Sequence, residues 1–364
     1  MLSRPHHCFV GETGTMAETL QVFVATPLTP ELCNLIVQLE PRIELVVDQE
    51  LIPQARYVGD HDGDPSFQRT PDQQRRFEEL CDQADALYGI PDNDPKQLAR
   101  TIRANPKLRW VQTMMAGGGA FVRRAELTDE ELARVKFTTS AGVHAKTLAE
   151  FAAFGVFAGA KDLPKLQRLQ SQHEWAQRWP MRQIFQMTVL IVGMGHIGRE
   201  TAKTFAALGA RVIGVNRTVR EEEGVEQVYP VEQLAELASQ ADAIVATLPS
   251  TSETRGMLDS EFWGKVKPGA IFVNVGRGST VDEPAMIEAL QDGRLSFAAL
   301  DVFAKEPLAK DSPLWELPNV VIAPHTAALN HEEDALIARL FAENARRLLD
   351  GEELLNRVNT ESFY

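Results

Sequence analysis

Thr188-Val189-Leu190-Ile191-Val192-Gly193-Met194-Gly195-His196-Ile197-Gly198 is the stretch on which the fold turns. An unbroken aliphatic run leads straight into Gly193-x-Gly195-x-x-Gly198, and a helix pattern opens behind it. Such a run suits a strand buried on both faces, as in a parallel sheet. In that context the first glycine permits a tight turn and the second lets backbone approach a pyrophosphate. The third lets helix and strand pack closely. The amides and dipole at the helix start then favour phosphate. Glycines that only turn a strand into a helix are the bland alternative.

Outward from this loop the pattern repeats. Residues 188–192, 211–215, 243–248, 270–275, 296–300 and 320–323 read as strands, with helices at 197–208, 231–239 and 283–292. Six strands in this rhythm match a doubly wound mononucleotide-binding arrangement. Upstream, strands are expected at 21–25, 43–47, 86–90, 108–113 and 135–139, with helices at 30–39, 72–83 and 95–104. That alternation implies a second parallel sheet covered on both faces. The Ala-, Phe- and Gly-rich residues 147–160 read as a buried helix entering the second domain. Residues 332–350 read as an amphipathic helix with Leu336, Leu340, Ala345 and Leu348 near one face. Gly, Asp and Pro cluster at 54–70, which reads as a surface loop.

Composition narrows the function. At 364 residues the chain can hold two domains with separate cores. Its net charge of −14, from 37 basic and 51 acidic residues, argues against a nucleic-acid or anionic-membrane surface as the main role. An anionic substrate would have to be drawn in by local arginines. Cys8, Cys33 and Cys81 are far apart and lack CxxC spacing, so neither a disulfide framework nor a metal site is expected, and a reduced cytoplasmic setting fits. The apolar residues 151–160 are too few to span a bilayer. Residues 1–19 read as a flexible arm with no signal-peptide core. Met16 opens the first good strand pattern, so residues 1–15 are either that arm or an upstream start.

Four further clusters follow the glycine loop in fixed order: Asn274-Val275-Gly276-Arg277-Gly278, Asp301, Glu306 and Pro324-His325. They supply a guanidinium, carboxylates and one imidazole from the ends of later strands. Reduction of a 2-keto acid needs a proton delivered to the carbonyl oxygen as hydride arrives, which suits histidine. A glutamate beside it would orient the ring and favour its charged form. An arginine offers a planar fork to a carboxylate. Singly, each has a bland alternative: a loop arginine, a surface carboxylate, a core histidine. At the end of the second strand, Gly214-Val215-Asn216-Arg217-Thr218 has no carboxylate to hold a ribose 2′-hydroxyl, and an arginine follows. That favours NADP over NAD, with NAD still open; a solvated Arg217 is the alternative.

Over residues 20–359 the chain resembles the D-isomer-specific 2-hydroxyacid dehydrogenase family, in its glyoxylate/hydroxypyruvate reductase-like branch. The resemblance rests on Ala149-Glu150, the glycine loop, Thr247-Leu248-Pro249 and Asn274-Val275-Gly276-Arg277-Gly278. Further on it rests on Ala299-Leu300-Asp301-Val302-Phe303, Glu306-Pro307-Leu308 and Ala323-Pro324-His325-Thr326-Ala327. It implies Arg277, Glu306 and His325 as the catalytic set. It implies a cofactor site built from Gly193, Gly195, His196, Ile197, Gly198, Asn216, Arg217, Thr218, Leu248, Pro249, Thr254, Val275, Gly276, Arg277, Asp301 and His325. The substrate loop would be Met114-Met115-Ala116-Gly117-Gly118-Gly119, with Ala116, Gly117 and Gly118 joining Arg277 and His325 around the substrate. Relatives usually show Ser-Ala-Gly here; this chain has Met in place of the serine and two further glycines, which leaves side-chain selectivity open.

The expected fold is therefore α/β: a flavodoxin-like substrate domain, residues 20–140 plus 325–364, with an inserted Rossmann dinucleotide-binding domain, residues 141–324. The active site would lie in the cleft between them. The expected reaction is NAD(P)-dependent interconversion of a small 2-oxo acid, such as glyoxylate or hydroxypyruvate, and its D-2-hydroxy acid. A homodimer is expected, with no nucleic-acid or membrane partner. A dinucleotide-sensing binding protein or corepressor on the same fold is the alternative of a different class. Formate oxidation is disfavoured, because those relatives pair the histidine with glutamine where this chain has Glu306.

Overall fold

The computed structural model describes residues 18–361 and Phe363, so most of the arm read at 1–19, with Cys8, lies outside the described residues. The chain forms two α/β units, each around its own all-parallel sheet. The first unit comprises the residues up to Ser140 together with Asp334–Phe363. Its strands are β1 (Leu20–Val24), β2 (Ile43–Val46), β3 (Ala86–Tyr88), β4 (Trp110–Gln112) and β5 (Lys136–Thr138), in the order β2-β1-β3-β4-β5. Its early helices start where side chains can take the orphan amides of a first turn. Thr70 and Gln73 form a reciprocal capping box before Pro71–Gln83, and Asp94 caps Pro95–Ala104.

The last helix, Glu333–Leu349, buries Ile337, Ala338, Phe341, Ala342, Ala345 and Leu348. Ala345 and Leu348 are buried as read, but Leu336 is exposed and Leu340 half-buried. In the first half of the helix the stripe therefore runs one residue later, through Ile337 and Phe341. Phe341 explains the shift, because its ring stacks on Trp110 with centroids 4.5 Å apart. The segment 54–70 has no regular structure, as read, but it is anchored rather than loose. Asp60 is buried and takes two bonds from the Arg56 guanidinium and one from the Gly63 amide. The Arg56 guanidinium beside Asp60 holds its carboxyl well below the usual carboxylate range.

The second unit spans Ala141–Glu333, so residues 325–333 stay with it and the chain returns to the first unit only beyond His325. Its strands are β6 (Thr188–Val192), β7 (Arg211–Val215), β8 (Gln227–Tyr229), β9 (Ala243–Ala246), β10 (Ala270–Asn274), β11 (Leu295–Leu300) and β12 (Val320–Ile322). Their order is β12-β11-β10-β9-β6-β7-β8, which reverses between β6 and β9. This is seven strands where the sequence reading gave six. The additional one, β8, is a short edge strand in which only Val228 is buried, so it lacks the aliphatic run that marks its neighbours. No helix among the described residues is long and apolar enough to cross a membrane.

Helix Ala145–Ala160 owes its small residues to the sheet beneath it. A Cβ on Gly155 would lie 2.7 Å from the Ala299 Cβ and 2.8 Å from a Val273 methyl; one on Gly159 would lie 2.7 Å from Ile271. The glycines let helix and sheet approach where a side chain would hold them apart. Gly155→Val should therefore cost about 1–3 kcal/mol through overpacking. The expected reading is a lower urea midpoint with an unchanged slope; a wild-type midpoint would show that the helix has room to spare.

Candidate active site

Strands β10, β11 and β12 lie side by side, and the residues of interest follow their carboxyl ends. Beyond β10, Asn274 Oδ1 accepts from the Gly276 amide at 3.0 Å and shapes the turn that carries Arg277. Both neighbouring glycines are required by packing. A Cβ on Gly276 would lie 2.6 Å from the Leu248 carbonyl oxygen, and one on Gly278 would lie 1.9 Å from the Phe303 carbonyl. Arg277 is half-buried and donates from Nη1 to the Gly276 carbonyl at 2.7 Å. No carboxylate among the described residues pairs with it.

Beyond β11, Asp301 is 1% exposed. Its Oδ1 accepts from the amides of Thr326 (2.9 Å) and Ala327 (3.0 Å), and its carbonyl accepts from the His325 amide (3.0 Å). These three bonds hold His325 in a left-handed conformation, φ 54°, that is uncommon for a non-glycine residue. Burial pushes the Asp301 carboxyl above its ordinary range, against the pull of the two amides. Glu306 Oε1 accepts from the Phe303 amide at 3.0 Å, and its Oε2 lies 2.7 Å from His325 Nδ1. A carboxylate can only accept, so Nδ1 carries hydrogen and Nε2 is the nitrogen left to meet a ligand. The two side chains remain open, at 45% and 36% exposure. Glu306 and His325 are thus in direct contact, and the turn that carries Arg277 packs through Gly278 on Phe303, whose amide bonds Glu306.

The glycine loop leaves β6. Gly193 has φ 102° and donates to the Val215 carbonyl at 2.9 Å; a Cβ on Gly198 would lie 2.0 Å from the Gly193 carbonyl oxygen. Turn and packing therefore account for these two. Gly195 differs, since a Cβ there would meet nothing within 4 Å. Its missing side chain leaves space at the start of helix His196–Ala207, where a pyrophosphate would approach the amides around His196 and Ile197. The residues present fit a dinucleotide.

Other residues implied by the resemblance have structural duties as well. Asn216 Oδ1 accepts from Met194 (3.4 Å) and its Nδ2 donates to the Thr218 carbonyl (3.0 Å), tying the β7 end to the glycine loop. Thr254 donates to the Pro249 carbonyl at 2.5 Å and accepts from Thr251, so it closes its own loop. Leu248 is buried beside Gly276, and Val275 donates to the Ala246 carbonyl at 3.0 Å. Arg217 and Thr218 are exposed, and Arg217 lies 3.1 Å from Glu253, a partner that the sequence did not suggest. The bond pattern of Asp301 also escaped the sequence. Its only signal was a carboxylate placed directly after an apolar strand.

In the first unit, the loop after β4 turns through a bond from the Gly118 amide to the Met115 carbonyl at 3.2 Å. Gly118 packs on Thr113 and Gly119 on the Phe363 carbonyl, where a Cβ would lie 1.8 and 2.2 Å from the nearest atoms. Packing explains these two glycines. The amides of Ala116 and Gly117 donate to no acceptor among the described residues. A cavity of about 500 Å³ in this unit is lined by His61, Asp62, Arg69 and Asn93, among others, and involves none of the residues above.

Comparison with known proteins agrees in kind. Residues 154–327 match the model of the D-isomer specific 2-hydroxyacid dehydrogenase, NAD binding domain. The chain is 35% identical to a glyoxylate reductase of Korarchaeum cryptofilum over 72% of its own length and 80% of the relative's. It is 34% identical to glyoxylate/hydroxypyruvate reductase B of Yersinia pseudotuberculosis, over 80% and 89%. Among solved structures it resembles a D-isomer specific 2-hydroxyacid dehydrogenase of Xanthobacter autotrophicus in complex with NADPH and MES. That match has a TM-score of 0.75 and 29% identity, covering 96% of this chain and all of the other.

The Asp301 geometry separates two substitutions. Because its carboxyl is raised, the folded state holds a proton there more tightly than the unfolded chain. The stability contributed by this group therefore falls as pH rises from the ordinary carboxylate value through the raised one. Asp301→Asn keeps an oxygen for Thr326 and Ala327 but cannot ionise, so it should flatten that slope without lowering the neutral-pH melting temperature. Asp301→Ala removes two bonds to the His325 turn and should cost about 1–3 kcal/mol. Equal losses in both variants would show that the charge, rather than the acceptor, supports the turn.

Proposed function

Since this chain belongs to the D-isomer-specific 2-hydroxyacid dehydrogenase family and is an NAD(P)-dependent oxidoreductase, we propose that it reduces a small 2-oxo acid of the glyoxylate or hydroxypyruvate type to the D-hydroxy acid. The observation that carries this reading is the open His325–Glu306 pair, joined through Gly278 and Phe303 to an arginine with no carboxylate partner. In this reading the second unit is the cofactor domain and the first the substrate domain.

The bound nicotinamide cofactor supplies the hydride. His325 gives the proton from Nε2 to the substrate's keto oxygen while Nδ1 remains on Glu306, which fixes the ring. Arg277 presents its fork to the substrate carboxylate, a contact that its bond to the Gly276 carbonyl preorients. Asp301 acts as a positioning residue by holding the His325 turn. The loop amides of Ala116 and Gly117, with Gly118 shaping the turn, suit an anionic substrate group. Gly193, Gly195, Gly198 and the helix start at His196 and Ile197 receive the pyrophosphate. Arg217 and Thr218 receive a 2′-phosphate, so NADPH is favoured over NADH; the Xanthobacter relative, itself crystallised with NADPH, supports this choice.

A homodimer accompanies the reading. Phe154, Phe157, Leu166 and the wholly exposed Trp175 leave apolar surface on helix Ala145–Ala160 and the segment after it, which a second copy would cover. The Cys33 and Cys81 thiols are free, as suits a reducing cytoplasm.

Loss of NADPH absorbance with a panel of 2-oxo acids tests the reaction, with turnover of glyoxylate or hydroxypyruvate expected. His325→Gln should lower kcat by roughly two to four orders of magnitude and leave NADPH affinity near normal. A variant keeping more than a tenth of wild-type turnover would remove His325 from the mechanism. Arg277→Lys keeps the charge but loses the fork, so kcat/KM should fall steeply; near-wild-type activity would show that charge alone suffices. Light scattering should give twice the chain mass, and Phe154→Glu should return it to one.

A further inference from the structure

We propose that Glu253 is a cofactor-specificity residue: it holds the Arg217 guanidinium across the end of β6 and opposes a 2′-phosphate at that position. The inference rests on reading the second unit as the NADP-binding domain, and it concerns a residue that neither the glycine motif nor the strand-end pattern includes.

The geometry follows from the sheet order. Strands β7 and β9 flank β6, from whose end the glycine loop emerges. Arg217 stands just beyond β7, where the neighbouring Asn216 is tied both to Met194 of the glycine loop and to Thr218. Glu253 stands beyond β9 on a turn that Thr254 closes through Thr251 and Pro249. Their contact, 3.1 Å from Arg217 Nη1 to Glu253 Oε2, therefore spans from one flanking strand end to the other. That crossing point, where strand order reverses, is where an open α/β sheet takes a dinucleotide.

Charge decides the consequence. Arg217 and Glu253 are both largely exposed, at 74% and 65%, so the contact is weak and opens readily. A 2′-phosphate that reaches Arg217 must displace the Glu253 carboxylate or lie beside it, like charge against like charge. The other basic groups near this strand end give little relief, because Arg199 and Arg220 both pair with Glu222. A ribose 2′-hydroxyl brings no such conflict. Glu253 also stands as a carboxylate close to the strand end where Asn216 replaces the usual one. It thus narrows the preference for NADPH that Arg217 would otherwise create.

The test is fluorescence titration of NADPH and NADH on wild-type protein, Glu253→Gln, Arg217→Ala and the double variant, in the absence of substrate. Glu253→Gln should tighten NADPH by about threefold to tenfold and leave NADH nearly unchanged. The gain should shrink at high salt, and it should shrink again when Arg217 is absent. Suppose Arg217→Ala weakens NADPH selectively while Glu253→Gln changes neither cofactor, or both equally: the proposal about Glu253 is then overturned and the NADP reading stands. If Arg217→Ala weakens both cofactors equally, the reading of this strand end fails and the proposal falls with it.

Discussion

Parallel pairing is the constraint on which the site depends. Because β10, β11 and β12 run in one direction and in register, Asn274 opposite Leu300 and Leu300 opposite Ile322, the chain leaves all three at one edge of the sheet. Arg277, Asp301, Glu306 and His325 are scattered along the sequence, yet each follows one of these exits. Pairing alone brings them near; it does not aim them. Aim comes from Asp301, whose buried carboxylate grips the His325 turn, and from glycines at 276 and 278 that let the Arg277 turn settle against Leu248 and Phe303. Burying that carboxylate is unfavourable, as its raised proton affinity shows, and the amide bonds from Thr326 and Ala327 offset part of the cost.

The same edge solves an electrostatic problem for an NAD(P)-dependent 2-hydroxyacid dehydrogenase. Its net charge of −14 opposes the anions it handles. Most of the arginines seen in ion pairs serve the fold's own carboxylates: Arg42 holds Glu40 and Asp350, Arg100 holds Asp82, and Arg346 and Arg347 hold Glu343. Among the described residues the Arg277 guanidinium meets the Gly276 carbonyl and no carboxylate, which orients it without neutralising it. Under the proposed reading, that un-neutralised local cation is what would let an overall acidic protein hold a small carboxylate.

What the sequence made legible follows from what each feature buries. β6 and β7 appear with their bounds as read, because strands covered on both faces must be continuously apolar. β8 was invisible because an edge strand has one partner and little to bury. The first half of the last helix's stripe slipped by one residue because Phe341 could be placed only by knowing that Trp110 stacks on it, while Ala345 and Leu348 are buried as read. The motif residues were found from chemistry and resemblance. The glycines' division of labour was legible as well, because a tight turn, a close phosphate approach and a helix–strand contact each exclude a side chain for a different reason. Gly193 and Gly198 answer to backbone packing, whereas Gly195 answers to nothing in the protein itself. Glu253 could not be found at all, since no periodicity links it to Arg217.

Two histidine–glutamate pairs in the second unit show why contact alone does not identify a catalytic group. His144 Nε2 lies 2.9 Å from Glu333, and His325 Nδ1 lies 2.7 Å from Glu306; residue type and distance are nearly the same. Burial separates them. The first pair is closed off, at 13% and 4% exposure. The second is open, and its left-handed histidine is held through the bonds that Asp301 accepts from His325, Thr326 and Ala327. Left-handed backbone occurs at other loop positions too, but here it carries a partly exposed imidazole with Nδ1 fixed on Glu306. Under the proposed reading, proton transfer to a bound substrate is what that openness would serve, and burial is what sets the two pairs apart.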